Sequence, residues 1–356
     1  MLKLLGGQVH SCMQTFKKTI FITTLLLLVV AIISAIIIEP MIISECNYYS
    51  DASYRKETAG NYDFLFIGDS DGMTAFSPDI FDSKTGCTSY NLSETMLTSG
   101  STYYLLKKEI KRNKIKNVAI QISCTTFGRT PENEHGDGDS VTVQRLDSFA
   151  DRVVFLHNHS SINESMDIYS RLLVSGLSSW KSLAFLNSNN SEKSAKGWYP
   201  KEENNLYLNR DKAIQTYNST ELSINTNIDF VQEYNEIIKL CNDNNLNAFF
   251  VILPYSDEYT WAQKNLDYIK NYLDEFSLKL NTPVYDFNLY KEKNSFFSDK
   301  YSYCDSFHMS EKGGIAFTTC FADFYNNRIV ADNKLNSFYD SYVEAKIHSP
   351  YSQYIK

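Results

Sequence analysis

Cysteine is sparse and unpatterned in this chain of 356 residues: Cys12, Cys46, Cys87, Cys124, Cys241, Cys304 and Cys320, with no Cys-x-x-Cys and no Cys/His spacing. That scatter excludes a zinc-binding module and a dense disulfide framework. One or two bridges among the later cysteines stay open, because spacing does not give connectivity. Basic residues are outnumbered, 34 Lys and Arg against 42 Asp and Glu, for a net charge of −8. The only basic pieces are short, such as Lys107-Lys108 and Lys111-Arg112. A nucleic-acid partner is therefore not expected. No internal repeat or low-complexity block is present, and no cofactor is expected. What the chain has in quantity is apolar and aromatic surface: 43% hydrophobic residues, with 25 Tyr and 22 Phe, enough for a sizeable core.

The longest apolar run lies near the start. Thr19 to Ile38 holds only apolar and hydroxyl residues. At about 1.5 Å per residue such a helix spans about 30 Å, the thickness of a bilayer's hydrocarbon layer. Lys3, Lys17 and Lys18 precede the run, whereas Glu39 and Glu45 follow it. The positive-inside rule then leaves residues 1–18 in the cytoplasm, a transmembrane anchor at 19–43 and everything later outside. Cys12 is cut off from the other cysteines by this anchor. A cleaved signal peptide is the competing reading, but its apolar region is usually about 7–15 residues long and ends in a small-x-small site. Here the run closes on Ile36-Ile37-Ile38 and Glu39-Pro40.

Beyond a polar tether at 44–61, short apolar strands alternate with amphipathic helices, the pattern of a parallel sheet covered on both faces. The strands are expected at Tyr62–Ile67, Thr88–Leu92, Asn117–Ser123, Asn247–Leu253 and Val284–Phe287. Helices are expected at Ser99–Arg112, from a capping box at Thr226-x-x-Asp229 to about Asn244, in one long piece over Asp257–Leu280, and from a Ser310 cap to about Tyr325. The rhythm fails between residues 127 and 225, which reads as an insertion or lid at the carboxyl edge of the sheet, where open α/β sheets bind ligands. Residues 331–356 form a C-terminal tail.

Two motifs carry chemistry. Gly68-Asp69-Ser70 follows the first strand, and Asp305-Ser306-Phe307-His308 precedes the last helix. A serine hydroxyl is a weak nucleophile until a histidine takes its proton, and that histidine needs a carboxylate to fix its tautomer. Ser70, His308 and Asp305 supply the three groups. Asp69 reads as a turn residue bonding to local N–H groups, and Asp71 as a solvated neighbour. A metal held by Asp69, Asp71 and His308 would leave the serine without a role. His157 and His159 read as surface residues, and Trp198 and Tyr199 as a sugar-stacking pair or as packing. Gly68-x-Ser70-x-Gly72 also fits the nucleophile elbow of α/β-hydrolases, but an elbow follows several strands and its acid and histidine sit on separate loops.

The arrangement resembles the SGNH/GDSL hydrolase superfamily, from about Tyr62 to Tyr325 with the middle insertion excepted. The resemblance implies a flavodoxin-like, three-layer α/β fold over 62–330 with a parallel central sheet, preceded here by one transmembrane helix. It also implies Ser70 as nucleophile, His308 as base and Asp305 as acid. The family's oxyanion donors are matched only in part. Asn91 follows the second strand, Met96 stands near the place of a glycine, and Ser123-Cys124-Thr125-Thr126 replaces a Gly-x-Asn-Asp block. Asn91, Met96 and Thr125 are the candidates for oxyanion or substrate binding. The missing Asn and the anchor are similar to the membrane-bound branch of DltD-like and AlgX-like proteins. That likeness implies an extracytoplasmic serine O-acyltransferase or esterase at a bacterial membrane, transferring an acetyl or D-alanyl group. The acceptor would be a cell-surface polysaccharide or teichoic acid, beside a multi-span membrane O-acyltransferase. The alternative is a catalytically weak carbohydrate-binding or scaffold protein of a glycopolymer-modification complex.

Overall fold

In the computed structural model the described residues are 2–33, 62–128, 137–171, 195–202, 219–296, 302–305, 308–332, 337–349 and 352. A helix α1 runs over Leu2–Ile33. Its described side chains from Ile20 to Val30 include a series of exposed large apolar groups. Among the described residues no helix is long and apolar enough to cross a membrane. The side chains of Ala31 and Ile32, and the remainder of the expected span to Ile38, lie outside the described residues. So does the expected tether.

Five strands form one parallel sheet: β1 (Phe64–Ile67), β2 (Ser89–Asn91), β3 (Asn117–Gln121), β4 (Asn247–Ile252) and β5 (Val284–Asp286), in the order β2-β1-β3-β4-β5. That is the doubly wound order of flavodoxin-like sheets. Each strand is one or two residues shorter than its apolar run, because the run's ends turn into the loops that leave the sheet. All four β1 residues are buried. Their alternation divides the core. Leu65 and Ile67 face one cluster with Val118, Ile120, Phe250 and Ile252. Phe64 and Phe66 face the other with Ala119, Phe249 and Val251.

The first face is covered by α4 (Ser99–Arg112), α7 (Phe230–Asp243) and α9 (Leu266–Leu280). The second is covered by α2 (Ser70–Ala75), α3 (Pro78–Thr85) and α11 (Glu311–Phe324). Phe66 stacks on Phe76 with centroids 4.3 Å apart, and Phe321 meets Phe66, Phe76, Phe81 and Phe287 at 5.5–5.9 Å. Aromatic pairs of this geometry add to the free energy of area burial.

Two helix boundaries differ from expectation. The cap of α7 is Asp229 itself, whose carboxylate accepts from the Gln232 N–H at 3.0 Å. The expected single helix over Asp257–Leu280 is two, α8 (Asp257–Ala262) and α9. Lys264 donates its N–H to the Thr220 carbonyl at 3.0 Å, and the Asn265 side chain bonds both backbone groups of Leu222. These partners draw residues 263–265 out of the helical ladder.

Two insertion helices, α5 (Asp137–Arg145) and α6 (Phe149–His159), form a small cluster of Val143, Leu146, Phe155, Leu156 and Ile168 packed against Tyr104 of α4. The expected tail carries a helix of its own. Between β5 and α11 lies α10 (Lys293–Phe296), and after α11 comes α12 (Tyr342–Ile347). Tyr342 donates its hydroxyl to Asp286 at 2.6 Å and its N–H to Asp267 at 2.9 Å, which fastens α12 beside β5.

Candidate active site

The Gly68-Asp69-Ser70 turn is built by β1 and α2. As β1 ends, Gly68 passes so close to Gln121 that a Cβ there would overlap the Gln121 side chain. The same Gln121 accepts the Asp69 N–H at 2.8 Å. Asp69 caps α2 by accepting from the Asp71 N–H at 3.0 Å, as its turn chemistry predicts. Ser70 is therefore presented as the first residue of α2 at the carboxyl edge of the sheet.

The histidine arrives on a separate loop. Tyr303 and Met309 pair as an antiparallel bridge, Ser310 donates its N–H to Ser302 at 3.1 Å, and the Tyr303 hydroxyl reaches the Pro254 carbonyl at 2.9 Å. Ser310 then caps α11 through the Gly313 N–H at 3.1 Å. Three contacts sew this loop and helix to α2: Met309 N–H to Thr74 Oγ1 at 3.3 Å, Thr318 Oγ1 to the Ala75 carbonyl at 2.8 Å, and Ser77 N–H to Thr318 Oγ1 at 2.9 Å.

Ser70, His308 and Asp305 meet. His308 Nε2 lies 2.8 Å from Ser70 Oγ, and His308 Nδ1 lies 2.6 Å from Asp305 Oδ2. The other carboxylate oxygen of Asp305 accepts the His308 backbone N–H at 2.7 Å. A carboxylate can only accept, so Nδ1 carries the hydrogen and Nε2 is left to accept from the serine hydroxyl. The intervening Ser306 and Phe307 lie outside the described residues.

The candidate oxyanion residues separate. Asn91 is corrected to a structural role. It is 1% exposed; its amide donates to the carbonyls of Gly72 and Phe76 at 2.9 and 3.0 Å, and its Oδ1 accepts the Ser93 N–H at 3.1 Å. Both hydrogens of the side-chain amide are thereby used. Met96 has a left-handed backbone, φ 53°, and an exposed side chain. Its loop is tied to the Gly68-Asp69-Ser70 turn by the Glu94 N–H, which donates to the Gly68 carbonyl at 3.0 Å. Thr125 is exposed, with Oγ1 2.7 Å from Ser123 Oγ.

Asp71 is also corrected. Expected in solvent, it is buried, and its Oδ1 lies 3.7 Å from His308 Nε2. Trp198 packs, giving its Nε1–H to the Thr74 carbonyl at 2.9 Å, while Tyr199 beside it stays 37% exposed. His159 is drawn in over Gly100, and His157 is exposed. Among the described residues no group of His, Cys, Asp or Glu side chains is arranged to hold a metal ion. Cys87, Cys124, Cys241, Cys304 and Cys320 are free thiols.

Sequence reasoning missed two supports. One is Gln121, which has the ordinary look of a strand end. The other is α5, whose Arg145 is 4% exposed; it pairs with the fully buried Glu94 carboxylate at 2.6 Å and donates to the Leu92 carbonyl at 3.1 Å. Gly138, at the start of the same helix, lies against the Met96 carbonyl where a Cβ would overlap it. The insertion thus braces the Met96 loop along its length. A buried carboxylate is expensive unless paired, and this pair holds the loop in one place.

A cavity of about 660 Å³ opens farther along α4, between Tyr103, Tyr104, His159 and Glu233, and none of the triad lines it. Two of its acids have local duties: Asp229 caps α7, and Glu233 accepts the Ser99 hydroxyl at 2.7 Å. Deeper in the sheet edge, burial pushes the thiol of Cys124 and the phenol of Tyr255 well above their ordinary pKa values. Both groups are therefore neutral walls at physiological pH. No protein-family model matches the chain, and it matches none of the curated proteins with which it was compared.

Proposed function

We propose that the protein is a membrane-anchored, extracytoplasmic serine O-acyltransferase or esterase that acts through an acyl-enzyme on a cell-surface glycopolymer. The observation that carries this reading is the unbroken relay from Ser70 Oγ to His308 Nε2 at 2.8 Å and from His308 Nδ1 to Asp305 at 2.6 Å. Those distances are the reach that proton transfer requires.

His308 takes the Ser70 proton as Oγ attacks the acyl carbon of the donor; the imidazolium, held by Asp305, then protonates the leaving group. A hydroxyl of the acceptor repeats the sequence in reverse and carries the acyl group away. The N–H groups of Ser70 and Met96 are the donors for the oxyanion, and the Thr125 hydroxyl is the third at the rim. Loss of one such donor typically costs about 2.7–4 kcal/mol. The apolar run Thr19–Ile38 supports the anchor and the outer location. The SGNH-like order of motifs supports an acetyl or D-alanyl donor, a polysaccharide or teichoic acid acceptor and a multi-span membrane acyltransferase as partner.

One observation favours a second reading, a weakly catalytic carbohydrate-binding or scaffold protein: the side chain that ends β3, Gln121, points its Oε1 at the Asp69 N–H, and its Nε2 is sealed from solvent. A fluorophosphonate probe separates the two. The purified full chain should be labelled on the Ser70 peptide, and Ser70→Ala and His308→Ala should not be labelled. Folded protein that neither labels nor hydrolyses p-nitrophenyl acetate would leave only the scaffold reading.

A further inference from the structure

The edge of the sheet opposite Ser70 carries charge and apolar surface that the proposed reaction leaves unused. Of the ten residues 107–116, six are basic and one, Glu109, is acidic, in a chain whose net charge is −8. In sequence they read as short separate pieces. The fold joins them, because α4 crosses between parallel strands and ends with Arg112 at the amino edge, where Lys116 and Asn117 give their N–H groups to the Asp63 carbonyl at 2.8 and 3.1 Å. Glu109 is buried and accepts from the Asn113 amide at 2.7 Å. Lys107, Lys111 and Lys114 are exposed, and their spacings of four and three keep them on one side of the helix and its extension. On the neighbouring side Lys108 and Arg112 hold Asp147 at 3.1 and 3.3 Å.

Asp147 brings an apolar face to the same place. Phe149 follows it by two residues, so their Cα atoms are at most about 7.6 Å apart. From there α6 shows two sides: Arg152, Phe155 and Leu156 are buried, whereas Phe149, Val153 and Val154 are 52, 43 and 49% exposed. Large apolar groups gathered on an outward face mark a contact surface.

What covers that surface follows from where the chain leads. Tyr62 precedes β1 at this same edge, and residues 44–61 join it to the apolar run at 19–38. Those eighteen residues span at most about 65 Å when fully extended. A bilayer that holds the run therefore meets this edge at high effective concentration, and a weak patch suffices. Interfacial docking combines buried apolar groups with cations on anionic headgroups, and both are gathered here. The acidic remainder of the protein is repelled by the same headgroups, which leaves the basic edge as the face that approaches.

Resting on the membrane-anchored reading above, we infer that Lys107, Lys111 and Lys114, with Phe149, Val153 and Val154, dock the domain on the anionic lipid surface of the membrane that holds its anchor. Docked in this way, the domain stands with its amino edge on the bilayer. Ser70, at the carboxyl edge, then faces outward to the polymer.

The experiment places the full chain in nanodiscs of phosphatidylcholine brominated on its acyl chains, with and without phosphatidylglycerol. An indole introduced by Phe149→Trp, or by Val153→Trp in a second variant, should be quenched at least about threefold more with phosphatidylglycerol than without. About 1 M salt, which shortens the Debye length to about 3 Å, should remove most of that difference. The triple variant Lys107→Glu, Lys111→Glu, Lys114→Glu should remove it as well. The wild type supplies the background of Trp180, Trp198 and Trp261. Ile315→Trp, near the start of α11 at the edge that holds Ser70, should not respond, and Leu26→Trp in the anchor should be quenched in both lipids. Quenching at Leu26→Trp but at neither Phe149→Trp nor Val153→Trp overturns the docking and leaves the anchor standing. Equal quenching in both lipids overturns it too, since the lysines then have no part. An indole shielded from aqueous iodide but untouched by lipid assigns the face to a protein contact instead, a second copy of the chain included. If Leu26→Trp is not quenched, the anchored reading fails first and takes this one with it.

Discussion

The two faces of the sheet are packed with different materials and hold different parts of the candidate site. The face covered by α4, α7 and α9 is mainly aliphatic, with Leu105, Leu106, Ile237, Ile238 and Leu273 at its heart. The face covered by α2, α3 and α11 is a lattice of phenylalanines around Phe66, Phe76 and Phe321. Ser70 begins one of the helices of the aromatic face, and His308 lies three residues before another, so both groups of the proposed relay are mounted on it. The Met96 loop instead precedes α4 on the aliphatic face and needs α5 of the insertion to hold it. Ser70 and His308 are positioned by core packing, whereas the Met96 loop, which carries an oxyanion donor in the proposed reaction, is tied by the buried Arg145–Glu94 pair and by the Glu94 N–H on Gly68.

That contrast can be broken at several points. The largest effect should come from the reacting groups themselves: His308→Ala should slow acetylation of Ser70 by roughly 10⁴-fold or more, with an unchanged urea midpoint, read by stopped-flow release of p-nitrophenol. On the aromatic face Phe321→Ala should cost about 3–5 kcal/mol. Ile237→Ala on the other face should cost about 2–5 kcal/mol. Probe labelling in sub-denaturing urea tells the faces apart. Phe321→Ala should lose labelling well before its global unfolding transition, because α11 carries His308, and Ile237→Ala should lose both together.

Arg145→Met leaves Glu94 buried without its cation, a change that typically costs about 3–5 kcal/mol. Adding Glu94→Gln should recover most of the stability. If the loop is held by this pair alone, the double variant should fold and still acylate slowly with KM little changed; normal acylation in the double variant would show that the loop keeps its shape unaided.

A smaller effect belongs to Asp286 at the far edge. Burial raises its carboxyl above the ordinary value of 3.8, outweighing the hydrogen bonds from Tyr342 and Asn288. The folded state therefore holds this proton more tightly than the unfolded chain. The resulting stability is complete below the ordinary value and is lost as pH rises through the folded value. Asp286→Asn should remove that slope, so the variant gains on the wild type in urea titrations between about pH 4 and 7. Smallest of all, Lys84→Ala removes an exposed pair with Asp323 and should change stability by about 0–1 kcal/mol.

Much of the architecture was legible because periodicity reports burial directly. Each strand core fell inside its apolar run, and Ser99–Arg112 matched its helix residue for residue. Ser70, Asp305 and His308 were legible for a different reason: their residue types make sense only as a set. The break at residues 263–265 was not, since its cause is a contact with Thr220 and Leu222, more than forty residues away. Asn91 was a candidate because it stands where the resembled family has an Asn after the second strand, yet its partners are backbone carbonyls that only the fold brings near. Asp71 erred in the opposite direction. Nothing in Asp-Ser-Asp-Gly reveals that the first turn of α2 swings the second carboxylate inward to a histidine 237 positions later. Arg145 gave no signal at all, because a buried arginine differs from a surface one only in what it meets.

The seam between α2 and α11 has a consequence in time. Ser70 and His308 are separated by 238 positions in the chain. The serine is synthesised early, and until the last large helix has been made and has docked beside α2 it is an ordinary alcohol with no base near it. In the proposed reaction, a chain interrupted anywhere before residue 308 is chemically silent. In that reaction, reactivity therefore reports that α11 has been made and docked, and the serine at the start of the domain becomes a nucleophile only then.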